Sequence, residues 1–145
     1  MSLPEPSGNA LVDQAVRSAD DKKAAHITIL DLRGKSAPAD WFIICEGDNI
    51  VQNRAIADGI ASDLEKEHGR PWHQEGLEEG QWILLDYVNV IVHVMLPDAR
   101  QFYALERFWL EGYDAERDMV APIPSATKTI FARLSRQKGR PGSKR

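Results

Sequence analysis

The stretch GQWILLDYVNVIVHVM, residues 80–95, is almost continuously apolar, yet it contains an aspartate, a tyrosine, an asparagine and a histidine. One unbroken strand of this length would far exceed the usual ~5–6 residues. The stretch therefore predicts two strands, 80–86 and 89–96, that pair in the core and are joined by a turn. Asn89 is expected to adopt the left-handed conformation in this turn, because asparagine tolerates it.

Patterns on both sides of this strand pair complete an α/β arrangement. Asn49 followed by Gln52 resembles a capping box at the start of a helix, and Asp98 with Gln101 resembles a second one. Periodicity predicts helices over 9–23, over 49–69 and from Asp98, and strands over 26–32, 41–47, 70–76, 80–86 and 89–96. The last helix is expected to bury Phe102, Leu105, Phe108 and Trp109. This order predicts an α/β fold: a single domain with a five-stranded, mostly mixed sheet flanked by helices.

The composition is that of a globular protein. The chain has 145 residues, of which 43% are hydrophobic and 28% are charged, enough for one buried core. No apolar run approaches the ~18 residues that a membrane helix needs. The first residues lack the basic and apolar segments of a secretory signal. With a single cysteine, these features predict a cytoplasmic protein without internal disulfides and without a membrane segment.

Charge is distributed unevenly along the chain. Residues 125–145 contain seven basic and no acidic residues, a charge of +7, whereas the preceding residues contain 11 basic and 22 acidic residues, a charge of −11. A basic tail on an acidic body is typical of tails that contact nucleic acid or an acidic surface, although a solvated, disordered terminus has the same composition. We predict a flexible arm over 1–8, an α/β domain over 9–112 and a partly disordered basic extension over 113–145.

Known catalytic patterns do not occur in the sequence. There is no G-x-S-x-G sequence, and Cys45 lies in an apolar strand without a nearby base, which favours a core thiol. The four histidines form no H-E-x-x-H pair, and Asp48 places a negative charge where a phosphate would bind a helix start. A metal-dependent nucleotidyltransferase would need a D-x-D pair, but Asp31 and Asp86 end separate strands. The sequence therefore predicts no catalytic residue, no metal and no cofactor.

The remaining candidate is a surface near the end of strand 80–86. Alternation places Trp82, Leu84 and Asp86 on one side of this strand. Partly exposed Trp and Tyr side chains are frequent interface anchors, so Trp82, Asp86 and Tyr87 could form a docking patch. Equally, Trp82 could lie in the core while Asp86 caps the turn. Periodicity alone does not separate these two interpretations.

Three segments carry a resemblance to a known family. They are ADWFIICEGDNIVQNRAIADGI at 39–60, GQWILLDYVNVIVHVMLPDAR at 80–100 and FYALERFW at 102–109. Together they resemble the ribosomal silencing factor family, RsfS, also called Iojap. The resemblance implies a nucleotidyltransferase-like sheet without catalytic residues, and a homodimer when free. It also implies binding to ribosomal protein L fourteen on the large ribosomal subunit, which sterically blocks joining of the small subunit and represses translation when nutrients are limiting.

The family pattern also implies a contact site for the ribosomal protein. The residues at the matching positions are Trp82, Leu84, Leu85, Asp86 and Tyr87, with Arg100 and Tyr103 as nearby candidates. Asp86 is expected to pair with a basic side chain of the partner. This chain has Val88 and Asn89 where the family usually has Gly-Asp, which puts the contact list at this corner in doubt.

The basic tail lies outside the segments that carry the resemblance. We expect it to contact ribosomal RNA, through Lys128, Arg133, Arg136, Lys138 and Arg140. Two other functions stay open at this point. One is a large-subunit assembly factor that docks through the same surface. The other is a divergent nucleotidyltransferase that uses Asp31, Asp48 or Asp86 with magnesium.

Overall fold

The computed structural model of the chain describes residues 3–35, 37 and 39–106. Within them, three helices and five strands follow one another as α1 Ala10–Asp21, β1 Ala25–Asp31, β2 Trp41–Glu46, α2 Ile50–His68, β3 His73–Glu75, β4 Trp82–Asp86, β5 Val90–Met95 and α3 Pro97–Tyr103. None of the helices in these residues combines the length and apolar character needed to span a lipid bilayer. The predicted domain boundary at 112 and the extension 113–145 lie outside the described residues.

The strands form one sheet in the order β1-β2-β5-β4-β3. Strands β2 and β5 are parallel and the other pairs are antiparallel, so the predicted five-stranded mixed sheet is confirmed. The register of the strands defines two ends of the sheet, which we call the turn end and the α3 end. At the turn end, Trp41 of β2 lies beside Val90, and the β4–β5 turn follows Asp86. At the α3 end, Met95 pairs with both Glu46 and Trp82, just before α3 begins.

The sheet buries both of its faces. On the two-helix face, apolar side chains of the strands pack against α1 and α2; they include Ile43, Cys45, Ile83, Leu85, Val92 and Val94. On the α3 face, the side chains pack against α3 and the segment after β1; they include Phe42, Ile44, Trp82, Leu84, Ile91 and Met95. Alternation along a strand produces this division, because successive side chains point to opposite faces. The predicted alternation along β4 is confirmed.

Side-chain caps fix the starts of the first two helices. The Asn9 side chain accepts the Val12 N–H at 3.1 Å, and the Asn49 side chain accepts the Gln52 N–H at 2.8 Å. The Gln52 side chain reaches back to the N–H of Asp48, at 2.7 Å, one residue earlier than in a standard capping box. The predicted start of α2 is therefore confirmed.

The β4–β5 turn and the start of α3 differ from the prediction. Val88, not Asn89, is the left-handed residue of the turn, with φ of 78°. The N-cap of α3 is Leu96, with no side-chain cap, and Asp98 lies inside the first turn. Pro97 explains this difference, because its fixed φ and missing N–H favour the first helical position.

The end of α3 also differs from the expected buried stripe. The helix ends at Tyr103, since Ala104 is left-handed with φ of 50°. Phe102 is 51% exposed, which corrects the prediction that it is buried, whereas Leu105 is buried as expected. Phe108 and Trp109 lie outside the described residues.

Candidate functional site

The predicted contact residues do not form one corner. Trp82 begins β4 at the α3 end, where its ring lies 5.1 Å from that of Tyr103, between centroids. Asp86 ends β4 at the turn end, about 13 Å away at the usual rise along a strand. Tyr87 follows Asp86 and packs against the two-helix face, whereas Tyr103 packs against the α3 face. The expected Trp–Asp–Tyr patch is therefore divided between two ends of the sheet.

Four of these residues lie in the core of the chain. Trp82 is 3% exposed, Leu85 is 1% exposed, and Leu84 and Asp86 are fully buried. They are covered because β4 lies between β5 and β3, and both faces of the sheet are packed. The structure thus shows the second of the two interpretations, in which Trp82 is core and Asp86 caps the turn. In this conformation none of the four presents a side chain to a partner.

Asp86 shapes the turn instead of pointing outwards. Its Oδ1 accepts the N–H of Val88 at 2.8 Å, and its carbonyl oxygen accepts the N–H of Trp72 at 2.7 Å. The N–H of Tyr87 is bonded to the carbonyl of Val90 at 2.8 Å. The carboxylate thus fixes the conformation of the residues that follow it, and the expected ion pair with a basic partner would need Asp86 to be uncovered.

Two exposed apolar side chains, Trp72 and Val88, lie near this turn, and together with the half-buried Tyr87, whose hydroxyl is buried, we call them the turn-end patch. Trp72 is 71% exposed and Val88 is 51% exposed. The β3–β4 register places Trp72 across from Tyr87, which is half-buried. Burial raises the pKa of Tyr87 to about 12, against a smaller lowering effect of Arg70. Sequence reasoning missed Trp72, because the exposure of a Trp beside a three-residue edge strand depends on tertiary packing.

A chain of aromatic rings runs beneath α3. The rings of Phe42 and His93 are 4.6 Å apart, and those of Trp82 and His93 are 5.9 Å apart, between centroids. The Trp82 Nε1–H donates to His93 Nδ1 at 3.0 Å, so the neutral imidazole carries its proton on Nε2. His93 Nε2 is buried without a hydrogen-bond partner. Complete burial lowers the pKa of His93 to about 3, which keeps the ring neutral.

Arg100 joins α3 to the edge strand β1 and to the end of β2. Its guanidinium donates to the His26 carbonyl at 2.6 Å, Glu46 Oε2 at 3.1 Å, Thr28 Oγ1 at 2.9 Å, Glu106 Oε2 at 2.7 Å and Glu106 Oε1 at 3.3 Å. A guanidinium has five N–H groups, and these five contacts use all of them. Arg100 is therefore a positioning residue for α3, and no donor remains for the partner contact expected from the family pattern.

The carboxylates considered for metal chemistry do not meet. Asp31 and Asp86 lie at the same end of the sheet, but β2 and β5 separate their strands, which places them about 14 Å apart. Asp31 instead pairs with Arg33 at 2.8 Å, and hydrogen bonds from Arg33 lower its pKa to about 2. Asp48 lies beyond the other end of β2. Across the described residues, no group of three or more His, Cys, Asp or Glu side chains could hold a metal ion.

Cys45 is a buried free thiol, as predicted. Its side chain lies on the two-helix face, and burial raises the pKa of the thiol to about 12. A thiol in this setting stays protonated at neutral pH and is a poor nucleophile.

The fold and the site together define a single-domain α/β protein that presents an aromatic, apolar patch at one end of a five-stranded sheet. Residues 5–142 match the model of the family described as "Ribosomal silencing factor during starvation", RsfS. The chain belongs to this family, which confirms the resemblance of the three sequence segments. The match ends at residue 142 and so includes most of the basic extension, which those segments left out.

Individual relatives agree with the family match. Ribosomal silencing factor RsfS of Halalkalibacterium halodurans is 37% identical over 114 residues, which cover 79% of this chain and 97% of the relative. RsfS of Bacillus subtilis is 38% identical over 104 residues, covering 72% and 88%. Mitochondrial assembly of ribosomal large subunit protein 1 of Mus musculus is 25% identical over 120 residues, covering 80% of this chain and 51% of that protein.

A solved structure agrees with the fold. The crystal structure of a Chromobacterium violaceum protein superimposes with a TM-score of 0.67 and 28% sequence identity. The superposition covers 82% of this chain and 94% of that chain. The similarity therefore extends over nearly the whole of the solved protein.

Proposed function

We propose that the chain binds the large ribosomal subunit at ribosomal protein L fourteen and sterically blocks joining of the small subunit, repressing translation when nutrients are limiting. The observation that carries this proposal is the match of residues 5–142 to the RsfS family. Obstruction requires a stable body and a patch with affinity for the subunit, and it requires no acid, base or metal. An ordinary interface of about 800 Å² per partner would suffice.

We place the contact at the turn end of the sheet. The turn-end patch offers two exposed apolar side chains, and the half-buried Tyr87 ring joins them to the core. Of the buried residues, Leu85 and Asp86 then hold the turn in place, whereas Trp82 and Leu84 belong to the core farther along β4. The net charge of −11 before residue 125 would attract a basic ribosomal protein and speed their encounter.

A subunit-joining assay tests this function. Purified chain is added to large subunits before or after small subunits, and the fraction of joined ribosomes is measured by sedimentation. We expect joining to fall when the chain is added first, and to change little when it is added to ribosomes already joined, because the docking face is then covered. Equal joining with and without the chain, in both orders, would contradict the proposal.

Two tyrosine variants decide which end of the sheet makes the contact. Tyr87→Ala is expected to restore joining, whereas Tyr103→Ala, at the α3 end, is expected to inhibit as well as the unchanged chain. Thermal unfolding of both variants checks that they remain folded at the assay temperature. Trp82→Ala and Asp86→Arg are unsuitable for this purpose, since both residues are buried and their substitution would disturb the fold.

A role in assembly of the large subunit is the second candidate. It is favoured by one relative, the mouse protein whose name describes mitochondrial assembly of the ribosomal large subunit. The two functions differ in the particle that is bound. A silencing factor should co-sediment with mature large subunits, whereas exclusive association with immature particles in a lysate would favour assembly.

Two further proposals concern the basic extension and the oligomeric state of the protein away from the ribosome. We propose that Lys128, Arg133, Arg136, Lys138 and Arg140 contact ribosomal RNA near the docking site. Deletion of 125–145 should then weaken binding and flatten its dependence on salt, and unchanged binding at low and high salt would refute this. We also propose a homodimer in the free protein, which analytical ultracentrifugation tests.

A further inference from the structure

Val88 has a strained backbone conformation. Four non-glycine residues in the described part of the chain have positive φ angles: Lys23 at 69°, His26 at 52°, Val88 at 78° and Ala104 at 50°. Val88 is the β-branched member of this group. The second γ-carbon crowds the backbone further, so this conformation is a genuine outlier for valine and costs on the order of 1–3 kcal/mol. A glycine would adopt it without this cost.

Hydrogen bonds on both sides hold the turn in this conformation. Asp86 Oδ1 accepts the Val88 N–H at 2.8 Å, and the Tyr87 carbonyl accepts the Asn89 N–H at 3.0 Å. The Asn89 carbonyl in turn accepts the N–H groups of Asp40 and Trp41, at 2.9 and 3.1 Å. The turn is thus tied to β4 and to the start of β2, and it cannot relax without breaking these bonds.

The folded chain gains little from the Val88 side chain. Val88 is 51% exposed, so much of its apolar surface stays in water. A side chain that strains the backbone and is only half buried contributes little to folding. Val88 directly follows Tyr87, which the β3–β4 register places across from the exposed Trp72, so its exposed surface adds apolar area to the turn-end patch.

We propose that Val88 is a contact residue, whose side chain the strained turn holds outward to fill an apolar recess on the large-subunit protein that the chain binds. This inference rests on the function proposed above. Strain of this kind persists at binding sites where the surrounding structure over-determines the backbone, and the bonds to Asp86, Asp40 and Trp41 supply that support. Val88 therefore trades stability of the free chain for affinity in the complex.

Two substitutions remove the strain and the apolar contact together. Val88→Gly removes the whole side chain, while Val88→Asn introduces a polar residue of a type that is enriched at positive φ. Both variants are expected to raise the midpoint of thermal unfolding by several degrees. Both should weaken the affinity for isolated large subunits by about tenfold, the effect of one lost valine contact. Lys23→Gly is the matched control, because Lys23 has the same backbone class, is exposed and lies between α1 and β1 at the α3 end. It should leave the affinity unchanged.

The outcomes distinguish this inference from the function on which it rests. If the unchanged chain does not bind large subunits, the proposed function falls and the inference falls with it. If the unchanged chain binds and both Val88 variants bind equally tightly, the inference alone is overturned. It is also overturned if Val88→Gly and Val88→Asn both lower the thermal stability, or if they weaken association between two copies of the chain and leave subunit binding intact.

Discussion

The two faces of the sheet are built from different chemistry. The strand side chains on the two-helix face, such as Ile43, Ile83 and Val92, are apolar and pack against α1 and α2. The polar residues buried on that side, Ser18 and Asn53, come from the helices. On the α3 face the strands themselves bring His93 and Asp86 into the core, and α3 adds Arg100. Apolar packing is non-directional, whereas a buried polar group needs a partner at a defined geometry. The central strands therefore contribute apolar side chains to the two-helix face, whereas on the α3 face they also contribute polar groups that need partners.

The covering helices differ in the same way. On the two-helix face, α1 has 12 residues and α2 has 19, and both begin with a side-chain cap. On the other face, α3 has seven residues and no side-chain cap. A helix this short is not stable by itself in water, so contacts with the sheet must hold it. The ion pair of Arg100 with Glu46 does so, together with the apolar contacts of Ala99 and Tyr103.

A pair of cavity-creating substitutions in β4 gives the largest expected effect. Ile83 and Leu84 are adjacent, fully buried and face opposite sides of the sheet. Both alanine variants should lose about 2–5 kcal/mol of unfolding free energy. Ile83→Ala should lie near the upper end, because two long helices cannot close the cavity, whereas the short α3 can settle into the one left by Leu84→Ala. Urea unfolding measures the loss for both variants. A larger loss for Leu84→Ala would contradict the claim that the short α3 adjusts to a cavity more easily than α1 and α2 do.

Removal of the Arg100 guanidinium should have the next largest effect. Arg100→Ala removes the ion pair with Glu46, whose side chain is 13% exposed, and leaves that carboxylate, among the described residues, only its contact with the exposed His26. Breaking a largely buried pair of this kind costs about 3 kcal/mol. Hydrogen exchange should show the loss of protection concentrated in α3. Arg70→Ala is the control, since Arg70 and its partner Glu65 are exposed and the pair contributes at most about 1 kcal/mol. Equal losses for the two variants would mean that Arg100 does not hold α3.

The buried His93 on the α3 face should also make the free energy of unfolding depend on pH, and this effect is smaller than the two above. The folded-state pKa of His93, about 3, lies below the ordinary value of 6.5 expected in the unfolded chain. Above pH 6.5 the ring is neutral in both states and contributes no pH dependence. As the pH falls from 6.5 towards 3, only the unfolded chain takes up the proton, so stability decreases by up to about 1.4 kcal/mol per pH unit.

His93→Gln provides the reference for this measurement, because glutamine does not titrate. Urea unfolding of both proteins at pH 7 and pH 5 isolates the contribution of His93 from that of the other histidines. The unchanged chain should lose more stability between these two pH values than the variant. Parallel losses would show that the imidazole becomes protonated in the folded chain.

The sequence predicts the sheet well, because its strands and helices differ in the period of their apolar residues. The runs around Ile43 and Val92 have no helical spacing, and the cap residue Asn49 marks the start of α2 correctly. What escapes prediction depends on packing between distant segments. Alternation alone cannot show that β3 and β5 enclose Asp86, or that Trp72 remains exposed beside the short edge strand. No propensity favours Val88 over Asn89 as the left-handed residue; the hydrogen bonds of the turn decide it.

Photocrosslinking to the ribosome tests the central claim most directly. A photoreactive phenylalanine analogue replaces Trp72, which is 71% exposed at the turn end, or Val51, which is 70% exposed at the α3 end. Each protein is irradiated with isolated large subunits, and the attached ribosomal protein is identified by mass spectrometry. We predict that the probe at Trp72 attaches to ribosomal protein L fourteen and that the probe at Val51 does not. Attachment to this protein from Val51 alone, or to no large-subunit protein from Trp72, would contradict the account.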